Sequence, residues 1–234
     1  MTLNGIALID KPVGYSSFDI VSQLRNIAKA AGAQQGSRKR FPVGHSGTLD
    51  PLASGLLIVL LGSYTKRSAE FMHLDKVYSV KMVLGQTSST GDEEGIKKDM
   101  STDKPQKETI NSVFKSFIGG YDQVPPIYSA IKVGGQRSYK LARSGELPKL
   151  EARPIMIYDL TLERYSYPFV SFQTRVGSGT YVRSLVEDIG KALGAGAYTS
   201  ELRRISVGSY NVKEAVSIKK IDAKNISNVV FEPN

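Results

Sequence analysis

The 234-residue sequence contains no cysteine and no tryptophan, and it has only two histidines, His45 and His73. The absence of cysteine excludes disulfides, thiol nucleophiles and cysteine-ligated zinc sites. Two histidines are too few for a metal site built from histidine, so the sequence predicts no metal. The longest apolar run, Leu56 to Leu61, is too short to span a membrane. The first residues lack the basic segment and the cleavage site of a signal peptide, so we expect a cytoplasmic protein.

Acidic residues are also scarce in two parts of the chain. The sequence has 31 Lys and Arg against 22 Asp and Glu, a formal net charge of +9. Residues 20–49 contain five bases and no acid, and residues 132–153 contain six bases and two acids. Such a surplus favours a polyanionic partner, most simply nucleic acid. The alternatives are a solvated basic surface without a partner and attraction to anionic lipid.

The periodicity of the apolar residues indicates an α+β (mixed α/β) fold with a largely antiparallel sheet. A helix is predicted after Ser16 or Ser17, which are suitable N-caps, and two antiparallel strands are predicted at 155–164 and 169–176. Further strands are predicted at 5–9, 56–61 (alternatively a short helix) and 78–84, further helices at 108–117 and 180–193, and a surface loop at 86–107. No clear domain boundary is visible, so we expect one domain over residues 1–234.

Asp50 stands alone in a basic field, because the nearest carboxylates along the chain are Asp19 and Glu70. Nearby positive charge favours an ionised carboxylate. Asp50 lies in the run Gly44-His45-Ser46-Gly47-Thr48-Leu49-Asp50-Pro51, whose glycines and proline indicate a shaped loop. The residues alone leave two alternatives open, namely a turn-forming aspartate before Pro51 and an ionised catalytic group.

Five blocks, spread over most of the chain, resemble the TruB family of bacterial tRNA pseudouridine-55 synthases. They are Gly5 to Ser17, Gly44 to Gly55, Lys76-Val77-Tyr78, Pro125 to Lys132, and Gly179 to Leu185 with Glu201 to Arg204 behind it. The resemblance implies the pseudouridine-synthase fold, in which helices flank the sheet. It also implies an isomerase that flips the T-loop uridine out of tRNA and converts it to pseudouridine without a cofactor. The expected partner is the T arm of tRNA, and we expect a monomer.

The same resemblance implies a role for six residues. Asp50 corresponds to the nucleophile, Arg183 to the arginine that pairs with it, and Tyr78 to the tyrosine that stacks on the flipped uracil. The substrate-binding positions are His45, Tyr181 and Leu202. Without the family, Tyr78, Tyr181 and Leu202 would be interpreted as packing residues, His45 as a loop residue, and Arg183 as the partner of Glu187 in a helical salt bridge.

The resemblance also implies how RNA is held, with two departures from the family pattern. The basic segment 119–153 resembles a thumb-like loop that clamps RNA through phosphate contacts. Residues 30–42 are interpreted as a basic insertion, and the chain ends where many relatives carry a PUA domain, so we expect the catalytic domain without that domain. Two other hypotheses remain: a non-catalytic tRNA-binding protein on the same scaffold, and a uracil N-glycosidic hydrolase.

Overall fold

The computed structural model describes residues 3–34, 40–129, 131–146 and 148–233. Arg38 and Lys39, in the middle of the expected basic insertion, lie outside these ranges. The strands are β1 (Gly5–Lys11), β2 (Val43–His45), β3 (Ala53–Leu61), β4 (Lys76–Leu84), β5 (Gln86–Ser88), β6 (Lys97–Asp99), β7 (Gly119–Gln123), β8 (Lys132–Val133), β9 (Gln136–Arg137), β10 (Arg153–Ser166), β11 (Phe169–Val176), β12 (Ala197–Val207), β13 (Tyr210–Asn211) and β14 (Val216–Ser217). The helices are α1 (Ser17–Ala30), α2 (Ser68–Met72), α3 (Lys107–Phe117), α4 (Ser138–Arg143), α5 (Val182–Ala192) and α6 (Ile226–Val229).

The chain divides into two compact units, one formed by residues 1–78 and 202–234 and the other by residues 79–201. The chain leaves the first unit within β4 and returns to it within β12. The prediction of one catalytic domain over residues 1–234 stays a prediction. Among the described residues, no helix is both long and apolar enough to cross a membrane.

The first unit is organised around β3. Strand β1 pairs with it antiparallel along its whole length, from Gly5 opposite Leu61 to Lys11 opposite Gly55, and β2 also pairs with it antiparallel. On its other side β3 pairs parallel with the second half of β12, where Leu202 lies opposite Ala53. The core of this unit is apolar and includes Ile6, Leu8, Leu56, Ile58, Leu60, Tyr64, Phe71 and Val207.

Helix α1 begins where the sequence predicts it. The Ser16 hydroxyl accepts from the Asp19 N–H, and the Asp19 carboxylate accepts from the Ser16 N–H, which forms a capping box. The buried side of the helix includes Ile20, Val21 and Leu24. The cap therefore fixes the point at which the chain leaves the turn after β1 and enters the helix.

The second unit contains the antiparallel strands β7, β10 and β11, with β10 paired to both of the others. Helix α3 packs against β10, and its Phe114 ring meets the Phe172 ring of β11 edge-on at 5.2 Å. The predicted pair of long antiparallel strands and the predicted mixed α/β class with a largely antiparallel sheet are confirmed.

Two local predictions need correction. The expected surface loop 86–107 contains the hairpin β5–β6, whose polar strands are held in part by a 2.8 Å hydrogen bond from Gln86 to Asp99. The expected RNA-clamping segment 119–153 begins as a sheet strand, because β7 pairs with β10 from Gly119 to Gln123. Short polar strands carry no alternation of apolar residues, so the sequence pattern does not reveal them.

Candidate active site

The loop that carries Asp50 joins β2 to β3 and is fastened to the start of α1. The Ser17 hydroxyl accepts from the Leu49 N–H at 2.7 Å and donates to the Leu49 carbonyl at 3.0 Å. The Asp50 carbonyl accepts from the Ala53 N–H at 3.0 Å, which closes a tight turn into β3. Asp50 itself is half-buried. The backbone of the loop is therefore held on both sides of Asp50.

A second connection ties this loop to the turn after β1. The Gly14 N–H donates to the Pro51 carbonyl at 2.8 Å. Lys11 stabilises the turn after β1, because its buried ammonium donates to the carbonyls of Pro12 and Tyr15. Burial lowers the pKa of Lys11 to about 8, and the negative charge of Asp50 partly offsets that effect. Lys11 and Asp50 therefore interact electrostatically within this unit.

A buried arginine supports the loop from β12. Arg204 is 2 % exposed, and its guanidinium donates to the carbonyl of Leu56 at 2.7 Å and to that of Gly47 at 3.3 Å. Strand β12 can approach β3 this closely because residue 55 is glycine with a positive φ of 100°. A Cβ there would lie 2.2 Å from the Arg204 carbonyl oxygen. The Gly55 position and the Arg204 side chain together hold the end of the loop against the sheet.

His45 closes β2 at the other end of the loop. Burial and the nearby positive charge of Arg204 lower the pKa of His45. Its Nδ1 accepts a hydrogen bond from the Gly47 N–H at 3.3 Å, which favours the tautomer with the proton on Nε2. His45 is half-buried, and its lowered pKa favours the neutral ring.

The other two predicted site residues of this unit lie on strands. Leu202 lies on β12 and is 8 % exposed. It pairs with Ala53, and Ala53 is three residues after Asp50 in the chain. Tyr78 lies on β4 and is also 8 % exposed. His45 and Leu202 thus lie on strands that pair with β3, and Asp50 lies on the loop that leads into β3.

In the second unit, Arg183 lies in the first turn of α5 and is 5 % exposed. Its Nη1 donates to the Thr90 carbonyl at 2.9 Å and to the Asp92 carboxylate at 3.3 Å, and its Nη2 donates to the Tyr128 carbonyl at 2.9 Å. Asp92 also accepts from the Thr90 hydroxyl and from the Glu94 N–H. The guanidinium plane is therefore fixed by three groups from two parts of the chain, residues 90–92 and Tyr128, which a helical salt bridge to Glu187 alone would not do.

Glu187 lies one turn further along α5. Burial raises its pKa to about 7, the positive charge of Arg183 lowers it, and the negative charges of Asp188 and Asp92 add to the rise. Arg183 and Glu187 do interact electrostatically, as the sequence-based alternative requires. The buried ion pair that the structure gives Arg183 is nevertheless with Asp92.

Tyr181 and its neighbours anchor the start of the expected clamping segment. The Gln123 side chain accepts from the Tyr181 N–H at 2.9 Å and donates to the Tyr181 carbonyl at 3.2 Å. The Ser184 hydroxyl donates to the Val124 carbonyl at 2.9 Å. The N-terminal end of α5 therefore fixes the point at which this segment leaves β7.

Three buried charged residues of these arrangements were missed as site residues by sequence reasoning: Lys11, Arg204 and Asp92. The first two lie inside the motif blocks, so their position was a signal, but nothing in the sequence shows that they are buried. Among the described residues, no group of three or more His, Cys, Asp or Glu side chains is placed to hold a metal ion.

Comparisons with known proteins cover nearly the whole chain. Residues 36–182 match the family model described as the TruB family pseudouridylate synthase N-terminal domain, and residues 183–228 match the tRNA pseudouridylate synthase B C-terminal domain. The chain is 39 % identical over 229 residues to tRNA pseudouridine synthase B of Clostridium novyi, covering 98 % of this chain and 76 % of that protein. It is 41 % identical over 223 residues to the protein of the same name from Syntrophotalea carbinolica, covering 94 % and 69 %.

The fold of this chain is also similar to that of chains in solved structures. The chain is similar to a chain of the crystal structure of a Cbf5-Nop10-Gar1 complex, with a TM-score of 0.70 and 27 % identity. A second neighbour is a chain of an H/ACA RNP bound to a substrate RNA containing 2'-deoxyuridine, with a TM-score of 0.66 and 25 % identity. The match covers 96 % and 95 % of this chain but only 55 % and 53 % of those chains, so the protein spans about half of their length.

Proposed function

Because the chain belongs to the TruB family of pseudouridylate synthases, we propose that it converts the uridine at position 55, in the T loop of tRNA, to pseudouridine. The bond between C1′ and N1 of the nucleoside breaks, the uracil turns, and a bond forms between C1′ and C5. The hydrogen on C5 is replaced by C1′ and N1 gains a hydrogen, so atoms and electrons balance without a cofactor. The observation that carries the proposal is the fastened loop that presents the half-buried Asp50.

Asp50 is the proposed nucleophile. A carboxylate suits covalent catalysis on a nucleoside, because it is a nucleophile and a leaving group in turn. The electrostatic interaction with Lys11 places a positive charge beside the proposed nucleophile. The proposal covers attack at C1′, attack at C6 of the base, and assistance to elimination through a glycal.

Arg183 and Tyr78 are the other proposed catalytic residues. The family role of Arg183 is to pair with the nucleophile, and a guanidinium whose orientation is already fixed loses little freedom in making a two-point contact. The family role of Tyr78 is to stack on the flipped uracil and to relay a proton. Its place within β4, where it is largely buried, is compatible with that role.

His45, Tyr181 and Leu202 are proposed to bind the substrate. Flipping a base out of the stack costs a few kcal/mol, and side chains that fill the gap or line the pocket reduce that cost. The half-buried imidazole ring of His45 suits stacking in the gap left by the base. Tyr181 and Leu202 are proposed to line the uracil pocket.

The segment 119–153 is the proposed RNA clamp. Its exposed bases are Lys132, Arg137, Lys140, Lys149 and Arg153. They lie beyond the anchored stretch at Gln123 and Val124: on the hairpin β8–β9, on α4, on the chain leading to β10 and, for Arg153, at the first residue of β10. Cations in this arrangement would contact phosphates and contribute salt-dependent affinity that is independent of sequence. We propose that the protein acts on tRNA as a monomer in the cytoplasm.

The experiment is to incubate the purified protein with a tRNA transcript and to map pseudouridine at each position. We expect conversion at position 55 and no release of free uracil, and a transcript with cytidine at position 55 should give no product. Free uracil would identify an N-glycosidic hydrolase. Tight binding without either product would identify a tRNA-binding protein that has kept only the scaffold.

A further inference from the structure

Phe18 is exposed where an aromatic side chain would ordinarily be buried. It is 65 % exposed, which is more than any other aromatic residue that the structure describes. Val13, in the turn that precedes α1, is 63 % exposed. A single exposed apolar side chain is common on protein surfaces, so what distinguishes Phe18 is its position next to the loop that carries Asp50. None of the six residues that the family resemblance assigns to the site lies in this segment.

The segment from Val13 to Phe18 is fastened to the loop that carries Asp50. Ser17, next to Phe18, makes two hydrogen bonds with Leu49, next to Asp50. Gly14, next to Val13, donates to Pro51 on the other side of Asp50. Ser17 is in direct contact with the Asp50 loop, and Phe18 is the next residue. Because neighbouring Cα atoms are about 3.8 Å apart, the backbone of Phe18 lies close to that loop.

We propose that the Phe18 ring is a stacking platform for an unstacked base of the RNA substrate, close to the nucleotide that Asp50 attacks. The proposal rests on the proposed function, because it takes the partner to be RNA. A single ring is the right size for one base, and any base offers a π-face to it. A protein partner would call for a broader apolar patch, whereas Phe18 is flanked by two polar residues, Ser17 and the capping-box residue Asp19. The Asp19 carboxylate is engaged by Ser16, and the chain as a whole is cationic.

The test measures the dissociation constant of tRNA for Phe18→Ala, Phe18→Leu and Phe18→Tyr. Loss of one stacked base is expected to weaken binding about tenfold in the alanine variant. Tyrosine should bind within about twofold of wild type, and leucine should resemble alanine, since only an aromatic ring stacks. Plots of log dissociation constant against log salt should be parallel for all variants, because no phosphate contact is lost.

Phe231→Ala is the matched control. Phe231 is an exposed phenylalanine of the same unit, but it bridges to Ile6, near the opposite end of β1 from Lys11 and the turn. This variant should bind tRNA like wild type. The contacted base is identified by placing abasic sites one at a time in the T arm. At one position, wild type and Phe18→Ala should bind the RNA equally, because the stacking partner is gone.

The proposal is overturned if Phe18→Ala binds tRNA within twofold of wild type, if leucine restores affinity, or if no abasic position removes the difference. A change in the sedimentation coefficient of the free protein on Phe18→Ala would instead make this face a contact between copies of the chain. These measurements need no catalysis. If the wild-type protein bound tRNA with the expected Phe18 dependence but made no pseudouridine, the proposed function would fail and the stacking site would stand.

Discussion

Replacing Asp92 by asparagine tests whether the buried ion pair with Arg183 stabilises the second unit. The two side chains are 5 % and 6 % exposed, and the atoms Nη1 and Oδ2 are 3.3 Å apart. Asparagine is almost the same size and keeps an oxygen to accept from the Thr90 hydroxyl and the Glu94 N–H. The substitution therefore removes one negative charge from beside a buried guanidinium, and it also replaces the oxygen that accepts from Arg183 Nη1 by an NH2 group.

The expected cost is set by the burial of the pair. Breaking a buried ion pair by removing one partner costs about 3–5 kcal/mol. Because asparagine keeps the oxygen that accepts from Thr90 and Glu94 but loses the one that accepts from Arg183, we expect a cost of at least about 3 kcal/mol. For a chain of this length, about 3 kcal/mol corresponds to a fall in Tm of roughly 6–12 °C. The chain has no tryptophan, so unfolding in urea is best followed by far-UV circular dichroism.

The exposed pair between Lys81 and Glu201 provides the matched control. These side chains are 36 % and 71 % exposed, with Nζ and Oε1 2.9 Å apart. Glu201→Gln should cost less than about 1 kcal/mol, and the cost should shrink further at high salt. If Asp92→Asn cost no more than Glu201→Gln, the buried pair would contribute nothing special and the reasoning about Arg183 would be refuted.

Three further outcomes follow from the same contacts. The pKa of Glu187 is raised from 4.5 to about 7. Between those pH values the native state keeps a proton that the unfolded state has lost, so the free energy of unfolding falls as pH rises. Glu187→Gln should flatten this part of the pH profile of unfolding free energy, and an unchanged profile would contradict the shift. Arg183→Lys should lower the single-turnover rate at least tenfold, since lysine loses the planar two-point geometry, and a rate within twofold of wild type would return Arg183 to a structural role. Ser17→Ala leaves the buried backbone of Leu49 without its partner, so it should cost about 1–3 kcal/mol in urea unfolding, whereas a loss below about 0.5 kcal/mol would show that the hydroxyl does not hold the loop.

The elements that the sequence predicts well are those with a local physical signal. The capping box at Ser16 and Asp19 places the start of α1, and the long apolar alternation places β10 and β11. The hairpin β5–β6 has no such signal, since its strands are three residues long and polar. Its pairing depends on a side-chain contact between residues thirteen apart, which no local pattern reports.

For the candidate site, the sequence predicts the motif residues but not the buried residues that support them. The motif blocks select Asp50, Arg183 and the loop as candidates, because a family resemblance acts on residue types and their order. The supports of that loop depend on burial, and the sequence gives no indication that Lys11 and Arg204 lie at 0 % and 2 % exposure with carbonyl partners. Asp92 is equally hidden, since it lies in a polar stretch that reads as solvent-exposed. Tertiary structure alone converts these ordinary charges into positioning groups.

The central claim is that Asp50 is the nucleophile of an isomerisation at uridine 55 of tRNA. The direct measurement is the amount of pseudouridine formed at position 55 by purified Asp50→Asn under single-turnover conditions, with tRNA binding measured on the same preparation. Asparagine keeps the size of the side chain but cannot act as a carboxylate nucleophile. We expect no detectable pseudouridine, with a dissociation constant for tRNA within a few-fold of wild type. Substantial pseudouridine formation by this variant would contradict the account.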